Sequence, residues 1–421
     1  SLNATDLERW LRFGGMVLAV TTISLMFFLY LYLYRRKIVE DNSMLLLVFL
    51  VPLLVIIGIS FVIDLDGINE YVMPLAIAPI ILTIIFDSRV GIVSATTLTI
   101  IAAIIAGNNF EFTVAGIAAC SLGVFSVRDV KNRSQFFFTT PGIVFVTYAL
   151  VIAGFSLARY SDFNEFGFNL LMAGISSLFI LFTYPIILLI EKTFRVTTDF
   201  TLLELSDTNR PLLKDLMMKA PGTFHHSLQV ANLAEAAANA IGANALLCRV
   251  GSLYHDIGKM DKPDYFVENQ GDTNEHEKIK PQISALVIKA HVSEGVKMAE
   301  ENNVPKVITD FIRTHHGTSV IRYFYEKAKD DPELKSEIMK EDFRYEGPLP
   351  WTRETGIVLL ADTIEAASRA MKDPNYNKLK NLINKLVEEK LSEGQLSHCP
   401  LTFRDLQLIK QAFLTILAGV Y

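Results

Sequence analysis

A chain of 421 residues, 51% of them hydrophobic and 20% charged, is too apolar for an ordinary soluble protein and points to a membrane region. The net charge is −6, and beyond residue 198 the chain holds 27 Lys/Arg against 32 Asp/Glu, so it lacks the basic character that nucleic-acid polymers require of a partner. Three cysteines, Cys120, Cys248 and Cys399, lie far apart with no CxxC, which argues against disulfides and thiolate metal sites and fits a reducing compartment.

The chain begins at Ser1 with neither a start methionine nor a signal peptide, and it ends at "ILAGVY" inside an apolar helical run; both ends read as those of a fragment. Residues 1–12 form a short polar lead. Apolar segments then recur at about 13–34, 44–63, 71–86, 90–107, 112–127, 141–159 and 168–190. A bilayer core of ~30 Å takes about 20 helical residues, so the third and fifth are marginal and the others suffice. The expectation is seven transmembrane helices over residues 13–191.

Loops one, three and five carry Arg35, Arg36 and Lys37, then Arg89, then Arg128, Lys131 and Arg133, whereas loops two, four and six ("DLDGINE", "NNFE", "YSDFNEFG") hold no lysine or arginine. Positive residues mark the cytoplasmic side of short loops. The alternation puts the amino terminus outside a bacterial cell membrane, multi-pass, with everything after Lys192 and Arg195 in the cytoplasm; Arg9 and Arg12 mildly oppose it. With no ionisable residue mid-span, active transport is disfavoured, and the region reads as an anchor or a sensor in the lipid bilayer.

Residues 192–220 form a polar connector with a short amphipathic piece. From 221 to 421 the pattern is helical throughout. Val230, Leu233, Ala234, Ala237 and Ile241 repeat at three-and-four spacing before a stop at Gly242, and similar runs cover 245–257, 283–301, 305–315, 353–371, 376–391 and 402–418. With no alternating β-type run, the fold class is all-α in both halves. Two polar stretches, 260–281 and 329–350, are expected as surface segments of the kind that border active sites.

All eight histidines follow residue 198, and seven fall between His225 and His316. "HD" at His255 and Asp256 and "HH" at His315 and His316 put neighbours on predicted helices. Adjacent helix residues diverge by about 100°, so both reach one cation only if it lies against that helix edge. With His226 and His291 they can converge at the centre of a bundle. Imidazoles and carboxylates suit Mn, Fe, Zn, Ni or Co. Asp256 has two oxygens and can join two ions at the separation of about 3.5–4 Å useful for phosphoryl chemistry. A further carboxylate, Asp362, sits in the apolar run "LLADTIEAASRA", where an unpaired charge is expensive. Glu365, one turn on, either backs a ligand or is solvated.

"HHS", "HDIGK", the later His, "HH" and the late Asp resemble the HD-domain metal-dependent phosphohydrolases. "TTDFTLLELSDTNRPLL", "APGTFHHSLQVANLAEAAANAIGA", "YHDIGKMDKPDYFVENQ" and "THHGTSVIRYFYEKA" are closer still to the bacterial seven-transmembrane HD phosphodiesterases of the PgpH type. The resemblance covers nearly the whole chain and implies a membrane-anchored enzyme that hydrolyses cyclic di-AMP to linear pApA. It implies His226, His255, Asp256 and Asp362 on one ion and Asp256, His291, His315 and His316 on the other, with Mn²⁺ or Fe²⁺ the expected ions. Members of that family usually carry a large extracellular domain before the seven spans, and residues 1–12 are too short to be read as one.

Lys259, one turn after His255, is expected to neutralise a phosphate beside Asp256. His276, Thr318, Ser319 and Arg322 are the other candidate substrate contacts. The absence of "GYP" after the HH pair disfavours cyclic di-GMP, which with other nucleotides is the alternative substrate. The remaining alternative is a catalytically inert nucleotide-binding membrane receptor. A homodimer is compatible with the sequence.

Overall fold

The computed structural model describes residues 4–62, 68–128, 135–159, 162–271, 274–330 and 339–420. Among them the secondary structure is helical, with one isolated β-bridge between Val320 and Arg344. The chain divides into two compact units, Ser1–Phe200 and Thr201–Tyr421.

Among the described residues of the first unit five helical stretches are long and apolar enough to cross a membrane: Leu7–Tyr34, Asn42–Phe61, Ser88–Ile105, Phe137–Arg159 and Phe163–Phe194. Two shorter apolar helices, Glu70–Ile85 and Phe110–Ser126, coincide with the runs that looked marginal by length. The protein is a membrane protein. The short helices bury Ile80, Ile81 and Leu82, and Phe112, Ala115 and Ala119, while the first helix leaves Leu18, Leu25 and Leu29 exposed. Asp87 and Asn109 cap two of the helices by accepting from the first free N–H groups. The last apolar segment is not one regular helix: Phe163–Leu178 passes through a 3₁₀ turn, Phe179–Phe182, into Thr183–Phe194. Pro185 has no N–H for the carbonyl four residues back, which explains the break.

Polar contacts sort the loops. Arg35 pairs with Asp87 at 2.6 Å, joining loops one and three. Asn109 donates to Glu70 at 2.6 Å and Asn69 to Asn169 at 2.5 Å, joining loop two to loop four and to the seventh apolar segment. Arg159, the last residue of its helix, is a positive charge at this otherwise acidic end and pairs with Glu111 at 2.6 Å. Lys131 and Arg133 lie outside the described residues.

The second unit has its own apolar core. Helix Pro221–Ile241 starts with proline in its first turn, where no N–H is needed, and ends at Gly242 with φ +64°, a left-handed conformation that glycine adopts without strain. Asn244 then caps Ala245–Tyr254. Val230, Leu233, Ala234 and Ala237 pack against Ile357, Leu360 and Ile364 of helix Arg353–Arg369 and Ile409 and Phe413 of helix Phe403–Val420. Thr352 and Thr355 form a reciprocal capping box that fixes where the Asp362 helix begins.

Two helix ends differ from expectation in a way that matters. The helix read over 245–257 stops at Tyr254, and the one over 305–315 stops at Thr314. His255 and Asp256, and likewise His315 and His316, therefore sit where a helix unwinds. A continuous helix would splay each pair; Asp256, at φ −113° and ψ 16°, has left helical geometry and can turn its side chain back beside His255.

Candidate metal centre

Five elements meet at Asp256. His226 comes from helix Pro221–Ile241, His255 and Asp256 from the end of Ala245–Tyr254, His291 from helix Pro281–Glu301, and Asp362 from Arg353–Arg369; His315 and His316 follow Lys306–Thr314. The turn after Asp256 must pass against the His291 helix, and Gly258 allows it, because a Cβ there would run into the His291 carbonyl. The glycine of "HDIGK" is therefore a close-approach residue.

The geometry divides the seven side chains into two sets sharing one carboxylate. Asp256 Oδ2 lies 3.2 Å from His255 Nε2 and 3.5 Å from His226 Nε2, while Oδ1 lies 3.3 Å from His291 Nε2 and 3.4 Å from His315 Nε2. Asp362 Oδ1 is 3.0 Å from His226 Nε2, and its Oδ2 is 3.6 Å from His316 Nδ1. The potential ligand atoms of His226, His255, Asp256 and Asp362 all fall within 4.8 Å of one another, and so do those of Asp256, His291, His315 and His316. All are buried except the half-buried His316.

The hydrogen bonding leaves buried atoms of the centre without partners. His255, His291 and His315 each aim Nδ1 at a backbone carbonyl of their own helix end, at 2.6 Å to Ser252, 2.5 Å to Ile288 and 2.9 Å to Ile312. Nδ1 must donate there, so in the neutral form of each ring an Nε2 lone pair faces inward. His291 Nε2 and His315 Nε2 stand 3.2 Å apart, two lone pairs opposed unless a proton or a cation lies between them. His255 Nε2 and Asp256 Oδ1 are buried and make no hydrogen bond at all. Orphaned buried acceptors of this kind cost free energy unless a cation satisfies them, so the donor set fits divalent metal ions.

Charge coupling is correspondingly strong. Burial works against a charged His255, but Asp256 and Asp362 outweigh it and lift the imidazole to about 10. Burial opposes the same shift at His226, where Asp362 and Glu365 prevail. Both aspartates stay well below the usual carboxylate range despite burial, Asp256 through His255 and Lys259, and Asp362 through His226 and His255. His316 is pushed well down by burial and by His315.

The expected substrate contacts have partners within the chain. The Lys259 ammonium bonds Asp256 Oδ2 at 2.8 Å and Glu268 Oε1 at 2.7 Å, over the Phe266 ring. Glu268 also accepts from Thr223, tying the polar stretch to the start of the His226 helix. Thr318 and Ser319 bond Gln395 and Lys390, and Arg322 pairs with Glu389 and Glu393, so the HH loop is bound to the end of helix Tyr376–Ser392. His276 bonds the Tyr265 carbonyl at 2.7 Å and packs on Phe324. The opening beside the centre is instead a cavity of about 360 Å³, lined by Lys289, Ser293, Arg313, His316, Gly317 and Tyr345 among others. Tyr345 stacks on His316 at 4.2 Å. Sequence reasoning missed Lys289, Arg313 and Tyr345. Lys289 lies two residues before His291 and Arg313 three before His316, a spacing that could have suggested the first two.

A family model described as a 7TM receptor with intracellular HD hydrolase matches residues 10–198, and an HD domain model matches residues 223–367. Residues 10–198 and 223–367 thus carry the two domains that those family models describe. The chain is similar to the cyclic-di-AMP phosphodiesterase PgpH of Listeria monocytogenes, 33% identical over 422 residues that cover 97% of this chain and 58% of that protein. PgpH of Bacillus subtilis is 35% identical over 367 residues, 83% of this chain and 50% of the relative. The chain thus spans little more than half the length of these relatives. The crystal structure of the L. monocytogenes PgpH HD domain in complex with cyclic-di-AMP shares 43% identity, covering 50% of this chain and 97% of that domain with a TM-score of 0.48.

Proposed function

We propose that this protein is a divalent-metal-dependent phosphodiesterase that hydrolyses cyclic di-AMP to linear pApA at the cytoplasmic face of a bacterial membrane. The observation that carries the reading is Asp256, which presents one oxygen to each of two histidine sets. His226, His255, Asp256 and Asp362 would hold one ion and Asp256, His291, His315 and His316 the other, Mn²⁺ or Fe²⁺ in each. When bound, such a pair of cations supplies charge neutralisation for a phosphodiester and a nucleophilic water at neutral pH.

The chain's own residues orient that chemistry. The carbonyl partners of His255, His291 and His315 fix each ring and its tautomer. Lys259, braced by Glu268, holds the Asp256 carboxylate in the orientation that serves both sets. The cavity beside His316 receives the nucleotide, with Tyr345 as a ring for a base and with Lys289, which donates to the Asp342 carbonyl, and Arg313, 3.5 Å from Glu300, as cations that would turn to its phosphates. Water attacks phosphorus, the bond to the ribose 3′-oxygen breaks, and that oxygen takes up a proton. A linear dinucleotide with a 5′-phosphate results.

Seven apolar segments over residues 13–191 would be the spans, with the amino terminus outside and residues 192–220 as connector to the catalytic unit, 221–421. The meeting of loops one and three, and of loops two and four, supports this sidedness. The full chain in detergent micelles, supplied with Mn²⁺ or Fe²⁺, is expected to turn over cyclic di-AMP faster than cyclic di-GMP, followed by chromatography. Asp256→Asn should lower metal content and rate together. Faster turnover of cyclic di-GMP would reassign the substrate, and an Asp256→Asn variant with unchanged rate would remove the bridging role.

A further inference from the structure

Four imidazoles of the centre make a hydrogen bond through Nδ1, and one of those bonds goes to a carboxylate. His255, His291 and His315 each donate Nδ1–H to a neutral backbone carbonyl. His226 instead directs Nδ1 at the carboxylate of Glu365, a side chain only 6% exposed. Glu365 lies one turn beyond Asp362 on the same helix, Arg353–Arg369, so two carboxylates from one helix face clamp opposite nitrogens of one ring. A carboxylate behind a ligating histidine makes the other nitrogen a more basic ligand than a carbonyl does, and it fixes the ring's orientation.

The two sets also differ in charge. One brings His226, His255, the Asp256 Oδ2 edge and Asp362, with Glu365 behind; the other brings three histidines and the Asp256 Oδ1 edge, with the far oxygen of Asp362 3.6 Å from His316 Nδ1. Lys259 subtracts from the first set by bonding Asp256 Oδ2, but Glu268, 2.7 Å from the same ammonium, restores that charge. The first set therefore leads by Glu365 and by the nearer approach of Asp362, 3.0 Å from His226 against 3.6 Å from His316, and both carboxylates are buried where charges are poorly screened.

We propose that the two cation positions are unequal and that Glu365 is the positioning residue that makes them so: the His226–His255–Asp256–Asp362 position fills first and holds its ion at least about tenfold more tightly. The other position holds the readily exchanged ion. This rests on the two-ion reading above. It assigns Glu365 a role through His226 rather than on the substrate.

The test uses the full chain in detergent micelles, stripped by chelator and titrated with Mn²⁺ by calorimetry, with metal content measured after dialysis against graded chelator. The native chain should show two binding steps at least about tenfold apart in affinity. Glu365→Gln keeps an oxygen to accept from Nδ1 but lacks the charge; it should weaken the tighter step by about 10–100-fold and leave the weaker step unchanged, which a merely structural role would not do selectively. His316→Gln, on the other set, should abolish the weaker step and keep the tighter one, a result that stands even if the Glu365 variant fails to fold. Two equal steps in the native chain, an unaltered tight step in Glu365→Gln, both steps weakened alike, or loss of the tight step in His316→Gln would each overturn the inequality. A native chain that takes up no ion would overturn the two-ion reading itself.

Discussion

Lys259→Met tests whether the lysine of "HDIGK" is a brace or a solvated phosphate contact. Its ammonium lies 2.8 Å from Asp256 Oδ2 and 2.7 Å from Glu268 Oε1, with the lysine side chain 12% exposed and the glutamate 5%. Methionine keeps the length and the packing on Phe266 but leaves Glu268 buried, with Arg369 no nearer than 4.0 Å. Removing one side of a buried pair costs about 3–5 kcal/mol, and at this exposure the solvent discount is small. Adding Glu268→Gln removes the stranded charge, so the double variant should recover about 0.5–3 kcal/mol relative to the sum of the single changes. A Trp10→Phe background leaves Trp351 as the sole tryptophan, a fluorescence probe confined to the second unit during denaturant unfolding of the full chain in micelles. A loss below about 1 kcal/mol in Lys259→Met, with strictly additive effects in the double variant, would refute the brace.

Gly258→Ala forces a methyl group into the His291 carbonyl, and the same Trp351 assay should register an overpacking loss of about 1–3 kcal/mol together with weaker cation binding. In the chelator-stripped chain, the His255 imidazole is lifted to about 10, against about 6.5 when unfolded. A raised folded value means that its stabilising contribution is complete below pH 6.5 and lost as pH rises toward 10. Denaturation midpoints of the stripped chain should fall across that window, while Mn²⁺ affinity should rise over it because the cation competes with those protons. Tyr345→Ala removes the ring that lines the cavity, and about tenfold higher KM with a smaller change in kcat is expected in cyclic di-AMP hydrolysis.

The histidine and aspartate residues were legible because polar groups placed in apolar helical runs have few structural uses, and Asp362 in "LLADTIEAASRA" shows that logic at its plainest. Helix spans were legible from period and from stops such as Gly242. What the sequence hid is the pair of helix ends at Tyr254 and Thr314, because the apolar period runs on through residues that no longer wind. The same blindness affected Lys259, whose partner Glu268 sits in a polar stretch with no periodic signal. Thr318, Ser319 and Arg322 looked like phosphate contacts by proximity to the HH pair, but the packing of helix Tyr376–Ser392 against that loop, a contact distant in sequence, engages all three. Tyr345 comes from a charged segment that one-dimensional patterning reads only as surface, and residues 331–338 of that stretch lie outside the described residues.

The most direct test of the central claim is hydrolysis of cyclic di-AMP by the full chain in heavy-oxygen water, with the products analysed by mass spectrometry before and after removal of divalent cations. The account predicts linear pApA carrying the heavy oxygen in its terminal phosphate from the cation-loaded chain, and none after chelation. Cyclic di-AMP held tightly by the cation-loaded chain yet recovered unchanged would contradict it, and would make the protein a receptor rather than an enzyme.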